Sequence, residues 1–129
     1  PRGYYRFTLS PDGTSKLCLS CHDGTVALDS FNKAMGTTVT ENPIGPILKS
    51  GDGHWKHPIS ILYDSNLSTI NQRLQDPSVY VTPSGNTIQR DLLSKNKVQC
   101  TSCHDVHNST ANEKMLRING DALCLSCHK

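Results

Sequence analysis

Three times in 129 residues the chain places two cysteines three positions apart and follows the second at once with a histidine: Cys18-Leu-Ser-Cys21-His22, Cys100-Thr-Ser-Cys103-His104 and Cys124-Leu-Ser-Cys127-His128. These motifs consume all six cysteines. The spacing sets two thiols about one helical turn apart, as needed to add across vinyl groups on neighbouring pyrroles, and the next imidazole then falls beneath the iron. Each motif therefore predicts one covalently attached haem c. Cys18, Cys21, Cys100, Cys103, Cys124 and Cys127 are the expected thioether attachments, and His22, His104 and His128 the proximal iron ligands. A zinc site of paired CxxC knuckles, a disulfide framework and a thioredoxin-like redox pair use similar cysteine spacings, but none requires the histidine.

Six histidines less three leaves His54, His57 and His107, one further imidazole per haem. Histidines also occur on surfaces without a role. Here His107 follows a motif in Cys103-His104-Asp105-Val106-His107, and His54 and His57 flank Trp55 just before Pro58, so all three are expected to be distal ligands. A bis-histidine haem is six-coordinate, has no open position for a substrate, and lacks the thioether ligand that raises the potential of Met/His cytochromes. Low-potential electron transfer without bond chemistry follows, which makes the chain a carrier rather than an enzyme. Met35 and Met115 are the other possible axial ligands, and with imidazoles at hand they read as packing. Asp23 and Asp105, each directly after a proximal histidine, can orient imidazoles or end helices.

Composition fits a chain whose core is cofactor. Only 35% of the residues are hydrophobic, too few for an ordinary core of this length. The net charge is +2 from 13 basic and 11 acidic residues, without the surplus a nucleic-acid partner needs. Two propionates per haem take +2 to about −4 with three reduced haems, and about −1 with three ferric ones. Lys16, Lys49, Lys56, Arg90 and Lys97 then read as propionate partners or solvated surface. No apolar run reaches the roughly 18 residues of a transmembrane segment.

The expected fold class is mostly coil with short α-helices around haems, little β-structure beyond a possible hairpin, and a core of stacked haems. It forms one domain over 1–129: a first haem region over 1–60, a haem-poor linker over 61–97 and a paired-motif region over 98–129. Thr14 or Ser15 is expected to cap a helical turn through Leu17 to His22, and Asp121 one from Ala122 to His128. Thr110-Ala-Asn-Glu113 has a capping-box pattern, predicting a helix through Met115 and Leu116 that Asn119-Gly120 stops. Glycines and prolines over 36–53 read as loop. Leu67, Ile70 and Leu74 are expected on one face of a helix ended by Pro77. Val79–Val81 and Thr87–Gln89 flank Pro83-Ser-Gly-Asn86 as a hairpin, with a helix over Ile88–Leu93 as the alternative. Tyr4–Leu9 can form a docking strand. Trp55 is placed to stack on a porphyrin, and Asn66-Leu-Ser68 and Asn108-Ser-Thr110 match the N-glycosylation pattern.

The stretch VQCTSCHDVHNSTANEKMLRINGDALCLSCHK resembles the doubled-CxxCH module of multihaem c-type cytochromes, and LCLSCHDGTVA with a later HPIS is similar to a second element of those proteins. The resemblance implies that His107 serves the haem of Cys124 and Cys127, His57 the haem of Cys18 and Cys21, and His54 that of Cys100 and Cys103, with His54 and His57 able to exchange. It also extends to subunits of extracellular cytochrome filaments, or nanowires. It thus implies partners that are redox proteins or identical subunits in haem-to-haem contact, in a homopolymer. A soluble monomeric periplasmic triheme carrier is the alternative, and an oxyanion reductase a weaker one. Covalent haem is attached after export, so an extracellular or periplasmic location is expected, with Pro1 the start of a mature chain whose signal peptide has been removed.

Overall fold

The structure, a computed structural model, describes residues 12–22, 57–107 and 112–129. The expectations for Tyr4–Leu9, for 36–53, and for Asp23, Met35, Trp55, Asn108 and Thr110 lie outside the described residues. Described residues form short helices and one two-stranded sheet, with turns and irregular chain between them, as the sparse apolar content predicts. None of the helices is long and apolar enough to cross a membrane, among the described residues. The chain divides into two compact units, Pro1–Ser60 and Ile61–Lys129.

In the first unit, helix α1 spans Gly13–His22 and carries the whole first motif. It starts earlier than the caps predicted at Thr14 and Ser15: Gly13 enters it with φ +54°, a conformation glycine adopts without a side-chain clash, and Ser15 is fully buried in the first turn. The Asp12 amide donates to Ser60 Oγ (2.9 Å), tying the start of α1 to the segment that follows His57.

The second unit is built from β1 (Ile61–Leu62), α2 (Ser65–Ile70), α3 (Ile88–Asp91), β2 (Lys97–Val98), α4 (Cys100–Cys103), a 3-10 turn (Glu113–Met115) and α5 (Asp121–Cys127). Strands β1 and β2 pair antiparallel, Ile61 opposite Val98. Asp64 caps α2 by accepting the Leu67 amide at 2.9 Å. The helix then stops at Asn71, so Leu74 is not on its face as the periodicity predicts; it lies in a β-bridge to His128. Both readings of 79–93 are realised in part. Val81 bridges Thr87 around a turn in which Gly85 donates to the Thr82 carbonyl (2.9 Å) and Thr82 to that of Asn86 (2.8 Å), and α3 follows directly. Pro83 pre-sets the first turn position and Gly85, at φ +86°, supplies the left-handed one. The Asp91 carboxylate accepts from Thr82 Oγ1 and Ser84 Oγ, pinning this turn to α3.

The buried hydrophobic core of the described residues is four side chains, Tyr63, Ile88, Leu92 and Val98, with Leu67, Leu74, Leu123 and Cys127 among those packed around it. Among the described residues, every buried hydrophobic side chain of this core thus comes from 61–98. The paired motifs contribute their serine faces instead: Ser102 and Ser126 are buried, whereas Leu125 is 55% exposed.

Candidate haem-attachment sites

Each motif lies on a helix, and the reason is local. In α4 and α5 the two cysteines stand at i and i+3, hence on one side of the helix. The serine before the second cysteine points away from that side and satisfies its hydroxyl within the chain. Ser102 Oγ accepts the Gln99 amide (2.9 Å), Ser126 Oγ donates to the Ala122 carbonyl (2.7 Å), and in α1 Ser20 Oγ donates to that of Leu17 (2.6 Å). Cys100, Cys103 and Cys127 are half-buried and Cys124 is exposed. Cys18 in α1 is also half-buried, and His22 is the last residue of that helix.

In the second unit the histidine ends its helix. The amides of His104 and His128 close the last turn on the carbonyls of Cys100 (3.0 Å) and Cys124 (2.9 Å), and both backbones then turn extended, at φ −111°, ψ 135° and φ −104°, ψ 146°. Each extended histidine is held in the same antiparallel clamp. Around His104, the Arg117 amide donates to the Cys103 carbonyl (2.9 Å) and the Asp105 amide to that of Met115 (2.8 Å). Around His128, the Gln75 amide donates to the Cys127 carbonyl (2.9 Å) and the Lys129 amide to that of Arg73 (2.8 Å). The residue opposite the histidine is a leucine in both cases, Leu116 and Leu74.

This pairing corrects the helix predicted through Met115 and Leu116. Lys114 and Met115 instead take left-handed φ of +56° each, turning the chain sharply so that 115–117 can lie along 103–105. Met115 is itself exposed. Likewise Asp121 does not cap α5 but stands in its first turn behind Gly120, where its charge favours the helix N-terminus.

The tautomer of His104 follows from its neighbour. Its Nδ1 lies 3.0 Å from the Lys114 carbonyl oxygen, which can only accept, so Nδ1 carries the proton of this bond and, in the neutral ring, Nε2 carries the lone pair. That is the form in which an imidazole binds a metal through Nε2, with its other nitrogen oriented by a carbonyl. His57 repeats it: Nδ1 is 3.1 Å from the Pro58 carbonyl oxygen. His107 is exposed, and its amide donates to Asp105 Oδ1 (3.0 Å), so this aspartate shapes the Asp105–His107 turn. His54 lies outside the described residues.

Electrostatics link the paired motifs. Burial, then the charges of Cys124 and Cys100, raises the Cys103 thiol above its ordinary value. Burial and the charge of Cys103 push Cys127 to about 11, against a hydrogen bond from Tyr63 that favours its thiolate. Both shifts favour the protonated thiol over the thiolate. Tyr63 is itself raised above the usual tyrosine range, by burial first and then by Cys127 and Asp76. No three His, Cys, Asp or Glu side chains converge on a common metal position among the described residues. The four sulfurs of the second unit form two i, i+3 pairs, each with a histidine one residue on, and this donor set fits two haems.

Some residues of these sites carry no signal in the sequence. Lys114 acts through its carbonyl, Leu74 and Leu116 through their place opposite a histidine, and Tyr63 through a hydroxyl that reaches 64 residues along the chain to Cys127. Only Gln99-Cys-Thr-Ser102, a reversed form of the capping-box spacing, was open to detection.

Residues 94–129, which contain both clamped helices except for the Arg73–Gln75 arm, match the family model of the doubled CXXCH motif. No curated protein and no solved structure matches the chain. The match spans 36 of 129 residues, and this segment is similar to the haem c-binding, electron-transferring modules of multihaem c-type cytochromes.

Proposed function

We propose that the chain is a triheme electron carrier with haem c on Cys18/Cys21, Cys100/Cys103 and Cys124/Cys127, proximal ligands His22, His104 and His128, and distal ligands His54, His57 and His107. The observation that carries this reading is the duplicated geometry of Cys100–His104 and Cys124–His128: an i, i+3 thiol pair, then a histidine that leaves the helix in a fixed extended conformation. Bound haem supplies a one-electron iron couple. The protein's part is to hold His104 and His128 by their backbones and to orient Nδ1 of His104 on Lys114, and its six histidines would supply two iron ligands per haem, leaving no position for a substrate. Exposed apolar side chains support the reading. Leu17 (74%), Val106 (65%) and Leu125 (55%) lie on or beside the three motifs, where a flat apolar macrocycle has surface to cover.

The carrier is exported, and it works as a subunit of an extracellular filament, stacking on copies of itself by heterologous contacts that do not close. Intact mass and the pyridine haemochrome spectrum of protein matured in a c-type cytochrome host should count three haems. EPR of the ferric protein should be low-spin throughout, whereas a high-spin component at full loading would open a coordination site and favour the reductase. Negative-stain microscopy separates filament from carrier: fibres are expected, and discrete particles alone would leave the soluble triheme carrier.

A further inference from the structure

We infer that Tyr63 and the strand Arg73–Gln75 are positioning elements for the C-terminal haem site, setting the direction in which Cys127 and His128 leave α5. This rests on the haem reading above and extends it to residues outside the matched segment 94–129.

The two clamps have the same hydrogen bonds, but their second arms differ in origin. For His104 the arm is 115–117, within the motif pair; for His128 it is 73–75, from the chain before it. The His128 amide still closes α5 on the Cys124 carbonyl, but its backbone is extended and the helix does not set the direction of the chain beyond that bond. The bonds Gln75 N–H to Cys127 O and Lys129 N–H to Arg73 O dictate it instead. Both flank the His128–Leu74 pair, so this is a narrow, non-hydrogen-bonded antiparallel pair, in which opposed side chains stand closest. Leu74 is thus the residue directly opposite His128, and it also packs against the core.

Tyr63 fastens both strands of this clamp to the core. It is 3% exposed, its hydroxyl donates to the Gln75 carbonyl at 2.8 Å, and the same oxygen lies 3.2 Å from the Cys127 carbonyl. One side chain thus touches the residue after Leu74 and the residue before His128. A group that sets the tilt of an axial imidazole tunes the potential of the iron it binds. The effect should be confined to one haem of three.

The test uses haem-loaded protein carrying Tyr63→Phe, Leu74→Ala or, for the other clamp, Leu116→Ala, read by protein-film voltammetry and ferric EPR. Peptide mass spectrometry of the unaltered protein first locates haem on Cys124/Cys127; its absence there refutes the haem reading itself. With haem in place, Tyr63→Phe should retain three haems and shift one of three redox transitions and its low-spin signal. Leu74→Ala should move the same transition, and Leu116→Ala a different one. The inference is overturned if Tyr63→Phe lowers the thermal midpoint with every transition unmoved, or moves all three together. Should Tyr63→Phe yield no holoprotein, Leu74→Ala decides on the same criteria.

Discussion

Replacing Ile88 with alanine should cost more stability than any change at the exposed apolar positions, although the core of the described residues is small. Ile88 is completely buried, its amide donates to the Tyr80 carbonyl (3.1 Å), and its side chain packs with Tyr63, Leu92 and Val98. Truncation removes three carbons, about 2.4 kcal/mol at roughly 0.8 kcal/mol per buried methylene. The cavity left behind brings the total into the range of about 2–5 kcal/mol. Against a typical domain stability of roughly 5–15 kcal/mol this is a large share. Ile88→Val should cost about 1 kcal/mol, and Val79→Ala, at a position 71% exposed, no more than about 0.5 kcal/mol. Urea unfolding of haem-loaded protein, followed by far-UV circular dichroism, measures all three, and Ile88→Ala should lower Tm by on the order of 10 °C. A cost below about 1 kcal/mol, or one matched by Val79→Ala, would refute the assignment of the core to these four residues.

Other changes test particular contacts. Asp64→Ala should destabilise by about 1 kcal/mol through loss of the α2 cap, and Asp64→Asn by much less, since the amide oxygen still accepts the Leu67 amide; equal losses in chemical denaturation would show that the cap is not the cause. Gly85→Ala should cost about 1 kcal/mol, purely conformational, because φ is +86° and nothing lies within 4 Å of an added methyl; a stabilised variant would contradict the turn. Asp76 is held below the usual carboxylate range by Ser78 Oγ, Ser65 Oγ and the Ser78 amide. With the folded value depressed, its stabilisation is complete above the unfolded value near pH 4 and is lost as pH falls through the folded one. Below about pH 4 the protein should therefore lose stability more steeply than Asp76→Asn, and parallel curves would remove Asp76 from the account.

How far the sequence could be read depended on distance along the chain. The helical placement of all three cysteine pairs was legible because i, i+3 spacing is a local property, and so was the turn at Pro83–Asn86, whose proline and glycine meet the conformational demands of their own positions. The helix predicted through Met115 and Leu116 to Asn119-Gly120 failed although Thr110-Ala-Asn-Glu113 has a capping-box pattern. Tertiary pairing of 115–117 with 103–105 outweighed local propensity and forced Lys114 and Met115 into left-handed backbone. Leu74 failed in the same way: its spacing from Leu67 and Ile70 suits a helix, but its backbone is used by His128.

By itself the sequence supplied the donor atoms, since each CxxCH places two thiols and an imidazole within five residues. The tertiary structure alone decided how each histidine of the paired motifs is aimed. The amide of each histidine still closes the last helical turn, but beyond it the chain is extended, and its direction comes from whichever strand lies beside it. For His104 that strand is 11 to 13 residues on; for His128 it is Arg73–Gln75, secured by a tyrosine of the core.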